Sequence, residues 1–115
     1  MASFIPVTTE AEFEGAIASS HERPVLFFKH SHTCGLSAQA FDELDAWLAE
    51  ASDDPHVYIV TVQTHRHLSN ELVKRFNVRH ETPQVLLVRN GACVWHGAHF
   101  RVTSRTVRSA YEKAA

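Results

Sequence analysis

Residues 25–50 read VLFFKHSHTCGLSAQAFDELDAWLAE. Two periodicities meet in this stretch, and they meet at a cysteine. Val25-Leu26-Phe27-Phe28, opened by Pro24, is continuously apolar. That is the pattern of a short strand covered on both faces of a sheet. From Gly35 to Glu50 the period changes to that of a helix, with Leu36, Ala40, Phe41, Leu44, Trp47 and Leu48 on one face. Cys34 stands at the junction, with the strand ending near Lys29. A helix N-terminus presents free backbone N–H groups and the positive end of its dipole. Both favour an anion, so they favour the thiolate over the thiol. Lys29, His30 and His32 add candidate positive charge. The plain alternative is a half-buried structural cysteine.

The flanks repeat the alternation of helix and strand. Thr9 to Glu12 forms a capping box, and Phe13, Ala16 and Ile17 place a helix over about Glu10 to Ser19. Asp53-Asp54-Pro55 breaks the long helix. Val57 to Val62 is predicted as a second buried strand, rich in β-branched residues. Ser69 opens a helix through about Phe76, with Leu72, Val73 and Phe76 inward. Thr82-Pro83 leads into Gln84–Arg89, and Asn90-Gly91 turns the chain into a partner strand, Ala92 to Trp95. Thr103 or Ser104 caps a last helix carrying Val107 and Tyr111. The order αβαβαββα predicts an α/β fold. It has a mixed sheet of four strands, parallel within the βαβ unit and antiparallel in the closing hairpin, flanked by about four helices. A short fifth strand at the N-terminus remains open.

The chain has 115 residues, 44% hydrophobic and 21% charged, enough for one domain, taken as residues 1–115, with its own core. A net charge of -2 argues against a general nucleic-acid binder. No apolar run approaches the ~20 residues of a membrane span, and the first residues lack a secretory signal pattern. Two cysteines make no disulfide framework. A reducing, cytoplasmic setting is expected.

Cys34-Gly35-Leu36-Ser37 has the spacing of a C-x-x-C redox motif with Ser in the second place. Serine cannot resolve a mixed disulfide, so a redox role for Cys34 is monothiol. Ser37 Oγ is within reach of the thiolate; a plain helix-start serine is the alternative. Cys93 lies just past the far turn, roughly 20 Å from Cys34 along the strand, beyond the ~7 Å that a disulfide allows. It reads as a small apolar filler.

These residues resemble a thioredoxin-like domain over nearly the whole chain. More narrowly, they resemble the monothiol bacilliredoxins of the YtxJ type, from the bacillithiol system. The resemblance rests on Phe28 to Ser31, Thr33-Cys34, Ser37-Ala38, Asn77 to Gln84, Asn90-Gly91, Val94-Trp95 and His99. The chain departs from that pattern at Gly35-Leu36 (usually Pro-Ile), His96 (usually Asn) and Phe100 (usually Trp). The resemblance implies an oxidoreductase that removes bacillithiol from protein mixed disulfides. Cys34 is then catalytic, with Lys29, His30, Thr33, Gly35 and Ser37 in support and Thr82, Pro83 and His99 lining the thiol groove. Bacillithiol is co-substrate, S-bacillithiolated proteins are the clients, and no cofactor, metal, nucleic acid or membrane is implied. It further implies a cis Thr82-Pro83 bond that turns the Thr82 backbone outward for strand-like pairing with substrate. His99 is placed toward the thiol pocket, although a loop-capping role fits as well.

Two other readings stay open. Cys-Gly-Leu-Ser is also similar to the Cys-Gly-Phe-Ser of monothiol glutaredoxins, which hold a bridging [2Fe–2S] cluster, but their Gly-Gly segment is replaced here by Trp95-His96-Gly97-Ala98-His99. His30, His32 and Cys34 alternate and would share one face of an extended segment, with His65 and His67 in reserve, as a zinc or copper module. Outside that module, His21, His56, His65 and His67 read as surface residues.

Overall fold

The computed structural model describes residues 2–115. In chain order it contains β1 (Ile5–Pro6), α1 (Glu10–Ser19), β2 (Val25–His30), α2 (Gly35–Glu50), β3 (His56–Thr61), α3 (Arg66–Phe76), β4 (Gln84–Arg89), β5 (Ala92–Ala98), a 3₁₀ turn (His99–Arg101) and α4 (Ser104–Ala114). The sheet order is β1-β3-β2-β4-β5. β1 and β2 run parallel to β3, while β4 runs antiparallel to both β2 and β5. Among the described residues the mixed sheet therefore has five strands, the short N-terminal one included.

β2 and β4 occupy the centre, and both are buried from their first residue through their fifth. Their continuous apolar runs are the mark of strands covered on both faces. Leu26, Phe28, Val85 and Leu87 pack under α2 and α4 with Leu44, Trp47, Leu48, Val107 and Tyr111. Val25, Phe27, Leu86 and Val88 face α1 and α3 with Phe13, Ile17, Leu68 and Leu72. β3 is less covered than its composition predicts. Val57 and Val60 are fully buried, but Tyr58 and Ile59 are only partly so. Its outer neighbour, β1, is two residues long and cannot shield it.

Local signals explain most boundaries. The Thr9 capping box is present: Glu12 N–H donates to Thr9 Oγ1, and Thr9 N–H donates to the Glu12 carboxylate. Asn90 and Gly91 both have positive φ, 54° and 76°, as a type I′ turn requires. α3 begins at Arg66, three residues before Ser69, because His65 provides the N-cap without any side-chain cap bond. β5 runs on to Ala98, past Trp95. Gly97 allows this: the Trp95 indole folds over it, and a Cβ there would stand 2.9 Å from the ring.

Candidate active site

Lys29 pairs with Gln84, and Gln84 pairs with Ala98. The ends of three strands thus lie side by side, and from this edge emerge the loop 31–34, the segment 77–83 and the turn at His99. Every residue proposed for chemistry except Ser37 and Gly35 lies in or next to these connections, and those two are in the first turn of α2.

Cys34 is the N-cap of α2, half-buried and unpaired. Its carbonyl accepts the Ala38 N–H at 3.1 Å, the first bond of the helix, and its side chain makes no cap bond. The thiol is therefore not spent on the helix it precedes. Gly35 stands over open space; nothing lies within 4 Å of where its Cβ would be.

Ser37 differs from expectation. Its hydroxyl turns inward and is fully buried rather than directed at Cys34. It accepts the Ser31 N–H at 2.9 Å and lies 2.8 Å from His30 Nδ1. Accepting one bond leaves it a proton to donate, which matches His30 with its proton on Nε2. His30 is wedged between the rings of Phe28 and Phe41, at 5.5 and 5.4 Å. Burial, and then neighbouring His32, push its pKa below the usual histidine value. His30 is thus a neutral hydrogen-bonding group at neutral pH and not the positive charge expected beside the thiol.

Thr33 belongs to a small network that the sequence reading missed. Gln63, just beyond β3, donates from Nε2 to Ser31 Oγ at 2.6 Å and to Thr33 Oγ1 at 3.3 Å. Its Oε1 accepts the His32 N–H at 3.2 Å. One amide side chain therefore sets the shape of the loop before Cys34. A lone glutamine after a strand carries no sequence signal for such a role.

Lys29 also departs from expectation. Alternation along β2 turns it to the α1/α3 side, away from α2, and it is fully buried. Its Nζ lies 3.3 Å from His80 Nδ1. Burial pulls its pKa down to about 8.

Thr82 and Pro83 precede β4 and His99 follows β5, at the same edge of the sheet where β2 ends. The Thr82-Pro83 bond is cis. The His99 N–H donates to the Pro83 carbonyl at 2.9 Å, and His99 Nδ1 lies 3.9 Å from Glu81 Oε1. His99 holds a left-handed backbone, with φ 56°. Among the described residues, no backbone hydrogen bond uses Thr82, so its N–H and carbonyl remain open.

Cys93 is at the other end of the sheet. It pairs with Val88, which pairs with Val25, five residues along β2 from His30. That is about 17 Å of strand. Its thiol packs at the margin of the α1/α3 core, bonds to the Trp95 carbonyl at 3.4 Å, and is pushed up in pKa by burial. The alternating His30, His32 and Cys34 do not converge: among the described residues, no three His, Cys, Asp or Glu side chains are placed to hold a metal ion. His32 projects from the surface, with its ring edge-on to that of His30.

Cys34 thus caps α2, Ser37 follows in its first turn, and a cis-proline precedes the neighbouring end of β4. The family model of the monothiol bacilliredoxin BrxC matches residues 5–107. The chain belongs to the monothiol bacilliredoxin family. It is a thiol–disulfide oxidoreductase of thioredoxin-like fold. A solved structure described as an oxidoreductase with a thioredoxin fold is 34% identical, covering 93% of this chain and 92% of its own, with a TM-score of 0.81. Thioredoxin O2 from Arabidopsis thaliana in its oxidised state is 23% identical over 97% of this bacilliredoxin and 94% of its own chain, with a TM-score of 0.74. The thioredoxin of Malassezia sympodialis is 13% identical over 99% and 92%, with a TM-score of 0.78, and shares the fold.

Proposed function

We propose that this bacilliredoxin removes bacillithiol from protein mixed disulfides through Cys34. The Cys34 thiolate attacks the bacillithiol sulfur, the S–S bond breaks, and the client protein leaves as a thiolate that takes a proton from water. Cys34 now carries bacillithiol in a new disulfide. A second bacillithiol thiolate attacks the carried sulfur, forms bacillithiol disulfide and returns Cys34 as thiolate. Each step exchanges one disulfide for another, so no external electron carrier enters.

In this reading the first turn of α2 stabilises the thiolate, and Gly35 leaves its approach open. His30, Thr33 and Ser37 hold the loop that carries the sulfur. Thr82 and Pro83 offer an edge for extended substrate, with His99 at its side. Bacillithiol is co-substrate and S-bacillithiolated proteins are the clients. No bound cofactor enters the cycle, and free thiols at both cysteines suit the reducing cytoplasm. No helix among the described residues is long and apolar enough to cross a membrane.

The observation that carries the reading is the lack of a resolving sulfur near Cys34. Ser37 occupies that place with its hydroxyl turned into the core, and Cys93 is at the far end of the sheet. The test is release of bacillithiol from a thiolated model protein with bacillithiol as regenerant. Cys34→Ser should abolish release and Cys93→Ser should leave it nearly intact. Equal loss in a folded Cys93→Ser protein would overturn the monothiol cycle.

A further inference from the structure

Lys29 is a buried cation on the α1/α3 side of β2. It is fully buried on the face formed by Phe27, Leu68, Leu72 and Leu86. Among the described residues, no carboxylate lies within ion-pairing distance of it. A buried ammonium without a counter-charge weakens a fold, and an apolar side chain of similar volume would serve packing better. Its presence calls for a role other than stability.

Its contacts indicate that role. Lys29 reaches from β2 to His80, and Ser69 reaches from α3 to the same His80 nitrogen, at 3.4 Å. Gln84, directly opposite Lys29 on β4, donates to the Arg79 carbonyl at 2.9 Å, while its buried Oε1 has no partner among the described residues. Three elements therefore grip one short segment, Arg79-His80, from inside. That segment runs directly into Glu81-Thr82-Pro83.

We infer that Lys29 is a positioning residue: by holding His80, it fixes the segment 79–83 against β2 and so sets the distance between the Thr82-Pro83 wall and Cys34. The inference rests on the assignment of Thr82-Pro83 as the groove wall. The grip needs His80 neutral, so that Nδ1 accepts from the ammonium. Burial, with Lys29 and Arg66 nearby, favours that form, and only Glu81 opposes it. Ser69 and Gln84, the other groups facing the pair, carry no charge.

The test compares Lys29→Met, His80→Gln and the double variant. Methionine keeps the volume and removes the charge. Two readouts separate the groove from the sulfur: KM for a bacillithiolated protein, and the rate of Cys34 alkylation by iodoacetamide, a small electrophile that does not use the wall. Lys29→Met should raise KM about tenfold, leave alkylation within twofold and not lower Tm. His80→Gln should do the same, and the double variant should be no worse than the worse single one, since both act through one contact. An unchanged KM in either folded variant would overturn the inference. So would alkylation falling in step with KM, which would mean that the charge acts on the sulfur directly. Because His80 is an exposed loop residue, His80→Gln carries the test if Lys29→Met fails to fold. Wild-type protein inert toward the mixed disulfide would instead sink the proposed function itself.

Discussion

Ser37 Oγ lies 2.8 Å from His30 Nδ1, joining the first turn of α2 to the last residue of β2. The same oxygen accepts the Ser31 N–H, so one hydroxyl ties the start of the helix to the start of the reactive loop. Its loss should therefore be felt first as stability. Ser37→Ala leaves a buried N–H and a half-buried ring nitrogen unpaired and should cost about 1–3 kcal/mol of unfolding free energy. Chemical denaturation measures it. Turnover through Cys34 should fall only modestly, because no step of a monothiol cycle uses this hydroxyl. A variant as stable as wild type would show that water replaces both bonds.

Gly35 is the first residue of α2, where proline's fixed φ and missing N–H are both tolerated. With open space at its Cβ position, Gly35→Pro should raise stability by about 0.4–1 kcal/mol through the unfolded chain alone. A fall in Tm would mean that the first turn needs a backbone geometry that proline cannot adopt.

Lys29 gives stability a pH dependence of known sign. Its folded pKa, about 8, lies below the ordinary lysine value of 10.5. Between those values the unfolded chain binds more protons, so stability rises with pH; below about 8 the full penalty of the buried charge is present. The gain across the window is on the order of 3 kcal/mol. Denaturation of wild type and Lys29→Met at pH 7 and pH 10 isolates it: the variant should exceed wild type at pH 7, and the gap should close at pH 10. A gap that does not change with pH would place the ammonium in contact with water.

Oxidation tests the sheet order. With about 17 Å of strand between them, Cys34 and Cys93 should not pair within one folded monomer. Mild oxidation followed by native mass spectrometry should show no monomer lighter by two protons. Such a species, mapped to this pair, would contradict the register of β4 on β5.

The central strands, the hairpin and the capped helices were legible because each follows from short-range chemistry: apolar runs, Asn90-Gly91, and Thr9 with Glu12. The cysteine at the strand–helix junction was legible for the same reason. Side-chain direction was less so. Yet Ser37 lies on the inward period of α2 with Ala40, Leu44 and Leu48, and the alternation of Phe27 and Lys29 already turned the lysine away from α2. Both signals are in the sequence, but the charge of Lys29 and the helix-start position of Ser37 point the other way. Gln63 and the His80 contact join residues about 30 and 51 positions apart from their partners and depend on tertiary folding, which no local pattern encodes.

The absence of a sulfur at position 37 also sets a kinetic order. A redox protein with two neighbouring sulfurs clears its own intermediate at a rate that belongs to the protein. In the proposed cycle the adduct on Cys34 has no internal exit, and its lifetime is governed by the concentration of free small thiol around it. When that pool is depleted, the protein should accumulate in the thiol-loaded form, protecting Cys34 from over-oxidation and pausing turnover until the supply returns.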